Sequence, residues 1–106
     1  MQITEDKKLQ LLYRVEPGCL GPTGSDHIEN FCQFAQQRIV NPFYASYQFT
    51  PRYDKQKAER QYSINGRKLS ESQATAYLAY FKVTLADFEE QLDELLTEVI
   101  DLYFER

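Results

Sequence analysis

Cys19, His27 and Cys32 are the residues whose chemistry could reach beyond packing, and they share one stretch, EPGCLGPTGSDHIENFC at residues 16–32. His27 is the only histidine, and the two cysteines are the only ones. A thiol nucleophile needs a base beside it, so His27 is the one candidate partner. Positions 27 and 32 differ by five residues, which points them apart on a helix. Cys19 could fold back towards His27, with amides near Gly21 and Gly24 as oxyanion donors, but no third group stands ready to orient the ring. Zinc would find three soft ligands here, with Asp26 as a fourth. The close ligand pairs of structural zinc sites, such as C-x-x-C, are missing.

The same stretch could cradle a phosphate, because Gly18, Gly21 and Gly24 precede a helix start. It lacks the lysine that ends a P-loop. Residues 16–37 contain no Lys or Arg, while Glu16, Asp26 and Glu29 give a net charge of −3. The reading that remains is a Pro/Gly connector, a helix cap and the first turns of an amphipathic helix. Cys32 then belongs to the core, Cys19 to a loop, and His27 to solvent. No catalytic residue, metal or cofactor is expected.

A second constellation lies in the middle of the chain. Arg52, Lys55, Lys57, Arg60, Arg67 and Lys68 fall among Tyr53 and Tyr62. Cations that track phosphates beside rings on which bases stack are what single-strand binding requires. Strand alternation assigns Tyr53 to the core face, however, and leaves Tyr44 as the clearest exposed ring. Nucleic-acid binding is therefore the alternative function.

The charge is unevenly spread. Residues 1–51 carry −1, residues 52–82 carry +4 and residues 83–106 carry −7, for a total of −4. From Leu85 to Arg106 there are eight acids and one base around an apolar stripe. That stripe runs through Leu85, Phe88, Leu92, Leu95, Val99 and Leu102, widened by Leu96, Ile100 and Tyr103. It is broader than a two-position coiled-coil seam and is mostly explained by packing on the domain itself. A helix of about 20 residues is about 30 Å long, more than a small sheet can cover. The leading expectation is a small non-enzymatic interaction or accessory domain that pairs with itself or another protein. Leu92, Leu95, Leu96, Val99, Ile100, Tyr103 and Phe104 are its candidate contact residues, with acids at the rim. The +4 hairpin could also pair with the −7 helix and so mask itself. The acids of the last helix lie on its solvated side, with no sign of a buried acid–base pair.

Positioning these residues requires the following elements. Thr4 caps a helix over 5–14, where Leu9, Leu12 and Tyr13 recur at helical spacing; a strand at LQLLYRV is the alternative. A Gly/Pro loop covers 16–25. Ile28, Phe31, Cys32, Ala35 and Ile39 mark a helix over 26–40, capped by Ser25 or Asp26 and ended by Pro42. Period-two patterning predicts a strand over about 43–53, pushed towards an edge by Pro51, and another over 60–69 that turns at Asn65-Gly66. Ser70-Glu71-Ser72-Gln73 is a capping box for a helix over 71–82, and Thr84 starts the last helix at 85–105.

The fold class is α+β: a small two- or three-stranded antiparallel sheet with about four helices, the C-terminal one longest. A chain of 106 residues with 42% hydrophobic content fits one domain, 1–106. No segment approaches a membrane span, and the N-terminal segment is not built like a secretory signal. A cytoplasmic chain with reduced thiols is expected.

Overall fold

A computed structural model describes residues 3–105. Seven elements follow one another: β1 (Leu9–Val15), α1 (Gly24–Arg38), β2 (Ala45–Pro51), β3 (Arg60–Ile64), β4 (Arg67–Lys68), α2 (Glu71–Tyr80) and α3 (Leu85–Glu105). Short 3-10 turns cover Glu5–Lys7 and Pro17–Leu20. The fold is α+β, with the C-terminal helix longest. Arg106, counted with that helix from the sequence, lies outside the described residues.

The expected helix over 5–14 is replaced by a 3-10 turn and β1, which is the centre of the sheet. Thr4 makes no side-chain cap bond. Leu9, Leu11, Tyr13 and Val15 are buried, while the residues between them are half-buried. A helix would scatter those four around its axis, whereas a strand puts them all on one face. The described residues therefore form three α-helices rather than about four.

The sheet has four strands in the order β2-β1-β3-β4 and is mixed rather than antiparallel. β1 and β2 run parallel, Leu11 beside Tyr47, while β3 runs antiparallel to β1, Leu11 beside Tyr62. The parallel pair arises because α1 crosses over between the two strands. The expected strand over 60–69 divides at Asn65 and Gly66, both with positive φ (50° and 79°), into β3 and β4. That is the tight-turn geometry for which Asn-Gly is favoured.

One face of the sheet carries Leu9, Leu11, Tyr13, Val15, Ala45, Tyr47, Phe49 and Tyr62, all buried beneath α1 and α3. Helix α1 contributes Ile28, Phe31, Cys32, Phe34 and Ala35, and α3 contributes Phe88, Leu92, Leu96, Val99 and Tyr103. The opposite face is polar and uncovered, with Gln10, Arg14, Ser46, Gln48, Thr50, Gln61 and Ser63 around Leu12. Antiparallel and mixed sheets tolerate this, because alternation gives one apolar and one polar face.

The two ends of α2 are well made. Ser70 and Gln73 form the reciprocal capping box, Ser70 Oγ accepting from Gln73 N at 3.2 Å and Gln73 Oε1 from Ser70 N at 2.9 Å. At the other end Lys82 adopts φ 61°, with Val83 N donating to Leu78 O and Lys82 N to Ala79 O. This left-handed stop turns the chain directly into α3. The Thr84 hydroxyl accepts from Asp87 N at 3.1 Å and caps that helix.

The free edge of β2 is closed by its neighbours. Leu9 N donates to Tyr44 O and Arg52 N to Val15 O, so the even-numbered residues of β2 face β1 and the odd-numbered ones face outwards. Ala45 N donates to Pro42 O, and Tyr47 N donates to Asn41 Oδ1 at 3.0 Å. Gln36 Nε2 donates to Tyr47 O at 2.7 Å, and Gln36 Oε1 accepts from Phe49 N at 2.9 Å. Pro51 has no N–H to offer. Every outward N–H of the strand is thereby satisfied or absent, which blocks edge pairing.

Candidate functional site

Alternation along β3 puts Arg60 on the same face as Tyr62, beneath α3, and this builds a polar cluster between β1, β3 and α3. Arg60 Nη2 lies 2.9 Å from both carboxylate oxygens of Asp93. Its Nη1 is 3.4 Å from Glu59, its Nε is 3.8 Å from Glu89, and its guanidinium carbon stands 5.3 Å from the centre of the Tyr13 ring. The buried Nε has no hydrogen-bond partner among the described residues. Tyr62 donates to Glu89 at 2.6 Å, and Tyr13 is 3.3 Å from both Glu59 and Asp93. Burial, and then the neighbouring carboxylates, push both phenols well above the ordinary tyrosine range. They stay protonated and act as hydrogen-bond donors. The arrangement is a clamp between β1, β3 and α3, with one cation among three acids.

Arg60 was read from sequence as part of a basic surface, together with Arg52, Lys55, Lys57, Arg67, Lys68 and Tyr44. The structure divides that set. Arg52 turns back on the chain: Nη1 is 3.0 Å from Glu16, while the rest of the guanidinium holds the carbonyls of Lys55 and Lys57. Lys55 reaches Glu16 at 3.5 Å. Lys57 lies in the loop before β3, and Arg67 and Lys68 lie beyond it. The intervening five-residue strand spans about 17 Å. Tyr44, expected to be the most exposed ring, is half-buried and stacked on Phe81 with centroids 5.0 Å apart. Tyr53, expected in the core, is 66% exposed and donates to Glu29 at 2.8 Å. The strand ends at Pro51, so alternation no longer governs position 53.

Cys19, His27 and Cys32 are not brought together as a site. Cys32 is buried and its thiol is pushed up to about 12, by burial and then by Glu29. Cys19 borders a cleft of about 160 Å³ beside Tyr13, Glu59, Asp93 and Ile100. Burial, then Glu59, Glu16 and Asp93, raise its thiol above the ordinary range. A thiol among carboxylates is the reverse of the electropositive setting that makes a nucleophile. His27 is half-buried rather than solvated: Nδ1 is 3.3 Å from the Tyr103 hydroxyl, and the ring packs edge-on against Tyr103 and Phe104. Among the described residues, no group of His, Cys, Asp or Glu side chains could hold a metal ion. Helix α1 starts at Gly24, with Thr23 as its cap residue in place of Ser25 or Asp26. A Cβ at Gly24 would fall 1.8 Å from Pro17 O, so close approach of the 3-10 turn demands glycine there.

The apolar stripe of α3 is mostly consumed by its own domain. Leu92, Leu96, Val99 and Tyr103 are buried, and Ile100 is half-buried. Leu95 is 38% exposed, Leu102 45% and Phe104 48%. Leu102 was absent from the contact residues expected from sequence, although its seven-residue spacing from Leu95 was the signal that pairs them on one face. A second apolar area, unforeseen from sequence, gathers the exposed rings of Phe43 and Tyr80 around Phe81. Phe43 precedes β2, so strand alternation does not turn it inwards. No helix among the described residues is long and apolar enough to cross a membrane. No family model matches the chain, and no curated protein or solved structure matches it.

Proposed function

We propose that this chain is a non-catalytic, cytoplasmic interaction domain that pairs with a second copy of itself along α3. The observation that carries the reading is the exposure of Leu95 and Leu102, one heptad apart on a helix of 21 residues. Two such helices crossing about a twofold axis bring the same apolar pair onto itself, as isologous dimers require. Phe104, two residues beyond Leu102, lies on the other side of α3, against His27, and takes no part in that seam. Glu94, Glu98, Asp101 and Glu105 stay at the rim, where they resist close approach of the two copies at low salt. Burial and nearby carboxylates raise both thiols, Cys19 and Cys32, which supports a non-catalytic role.

Light scattering across a concentration series tests this. The expected molar mass approaches twice the 12.5 kDa of the chain and does so at lower protein concentration as salt rises. The double variant Leu95→Lys, Leu102→Lys should remain at the mass of one chain with an unchanged helical spectrum. A wild-type chain that stays monomeric at millimolar concentration in high salt defeats the reading.

A further inference from the structure

A cleft of about 160 Å³ lies between the C-terminal end of β1 and the middle of α3. Val15 borders it from β1, Glu16 and Cys19 from the turn that follows, and Glu59 from the position before β3. Asp93, Leu96 and Ile100 border it from α3, where steps of three and four put them on one side of the helix. Leu95 and Leu102 each stand two residues from one of these, about 200° around the axis, so the cleft is separate from the α3 seam. Val15, Leu96 and Ile100 make its walls aliphatic. Glu16, Glu59 and Asp93 bring three carboxylates to it, and no Lys or Arg among the described residues borders it. Arg60 holds Asp93 and Glu59, while Arg52 and Lys55 hold Glu16, all from outside the cleft. Glu59 uses Oε1 for both Arg60 and Tyr13, leaving Oε2. Burial raises the Cys19 thiol, and Glu59, Glu16 and Asp93 raise it further, so the field there is negative despite those cations.

We propose that this cleft binds a primary alkylammonium group, its methylene stem on Val15, Leu96 and Ile100 and its cation at Glu59 and Asp93. An apolar pocket with a few convergent polar groups is the usual form of a small-molecule site. The aliphatic walls offer a hydrated metal ion nothing in return for its water, and the carboxylates repel an organic anion. A stem that packs while its terminal charge stays polar matches both parts of the lining. At about 30 Å³ for each water-sized group, 160 Å³ accommodates about five such groups, the size of a butylammonium ion. A free alkylamine and the lysine side chain of another protein present this same chemistry. The exposed thiol of Cys19, at the border of the cleft, reports occupancy directly.

The test follows iodoacetamide alkylation of Cys19 in the folded full chain, by mass spectrometry at constant ionic strength. At about 10 mM, n-butylammonium should slow the reaction about tenfold, as a dissociation constant of about 1 mM requires. That affinity is well inside the ceiling for a ligand of about five heavy atoms. Butanol and butanoate at the same concentration should leave the rate unchanged. Glu59→Gln should weaken the affinity for butylammonium about fivefold with an unchanged helical spectrum. Glu98→Gln, at an exposed position of α3 away from the cleft, should keep the full effect. Nα-acetyl-lysine methylamide separates the two sources: protection by it assigns the cleft to a lysine side chain, and protection by butylammonium alone assigns it to free amines. Absence of protection by butylammonium, equal protection by butanol or butanoate, or full protection in Glu59→Gln overturns the proposal.

Discussion

The side-chain amide of Gln36 donates to the backbone carbonyl of Tyr47 at 2.7 Å and, through its oxygen, accepts from the next outward N–H of the strand. One glutamine on α1 thus takes the place of a fifth strand. Gln36→Ala removes both bonds and frees the edge. The expected cost is about 1–2 kcal/mol in urea unfolding, at roughly 1 kcal/mol per hydrogen bond. Concentration-dependent light scattering should rise as well, because β2 becomes available for intermolecular pairing. Gln33→Ala, on the exposed side of the same helix, should change stability by less than about 0.5 kcal/mol.

Arg60 and Asp93 form the closest ion pair of the clamp between β3 and α3. The Arg60 side chain is 24% exposed and that of Asp93 49% exposed, so the pair is partly screened by water. Arg60→Ala also strips the cation from Glu59, Glu89 and the Tyr13 ring. It should destabilise by about 1–3 kcal/mol, more than Asp93→Ala does. A double-mutant cycle on the two positions should return a coupling of about 0.5–1.5 kcal/mol. Zero coupling would mean that Arg60 acts through packing alone.

Alkaline stability follows from the neutral groups in the core. The Cys32 thiol, ordinarily at 9.0, and the Tyr47 hydroxyl, ordinarily at 10.0, are each pushed up to about 12, chiefly by burial. Once the chain unfolds, both ionise at their ordinary values. Their contribution is therefore complete below pH 9 and is lost as pH climbs towards 12. Unfolding free energies from urea titrations should be flat up to about pH 9 and then fall towards pH 12, by up to about 1.4 kcal/mol per pH unit for each group that titrates. Cys32→Ala should flatten the first part of the decline. In the native chain, alkylation should reach Cys19 well before Cys32.

Lys82 holds a left-handed conformation that glycine adopts at no steric cost. Lys82→Gly should stabilise the chain by about 1 kcal/mol, since the Schellman-type bonds to Leu78 and Ala79 are kept and the Cβ clash disappears. Thermal unfolding is the measurement, and Lys82→Val should move the midpoint in the opposite direction.

What the sequence determined by itself is local. Ser70 and Gln73 announce a helix start because the capping bonds join residues three apart. Asn65-Gly66 announces a turn because both positions need positive φ. Leu92, Leu96 and Val99 announce the buried side of α3 because helical geometry fixes which residues share a face. What only the tertiary structure decided depends on distant neighbours. LQLLYRV satisfies both helical and strand spacing, and it became a strand because β2 and β3 lie on its two sides. The parallel pairing of β1 with β2 required α1 to cross over, which no local pattern records. Arg60 shares the Tyr62 face by simple alternation, yet only Asp93 and Glu89, about thirty residues away, give a charged group reason to turn inwards. Leu95 and Leu92 look alike in sequence. Their exposure differs because α1 and the sheet cover one side of α3 and stop short of the other.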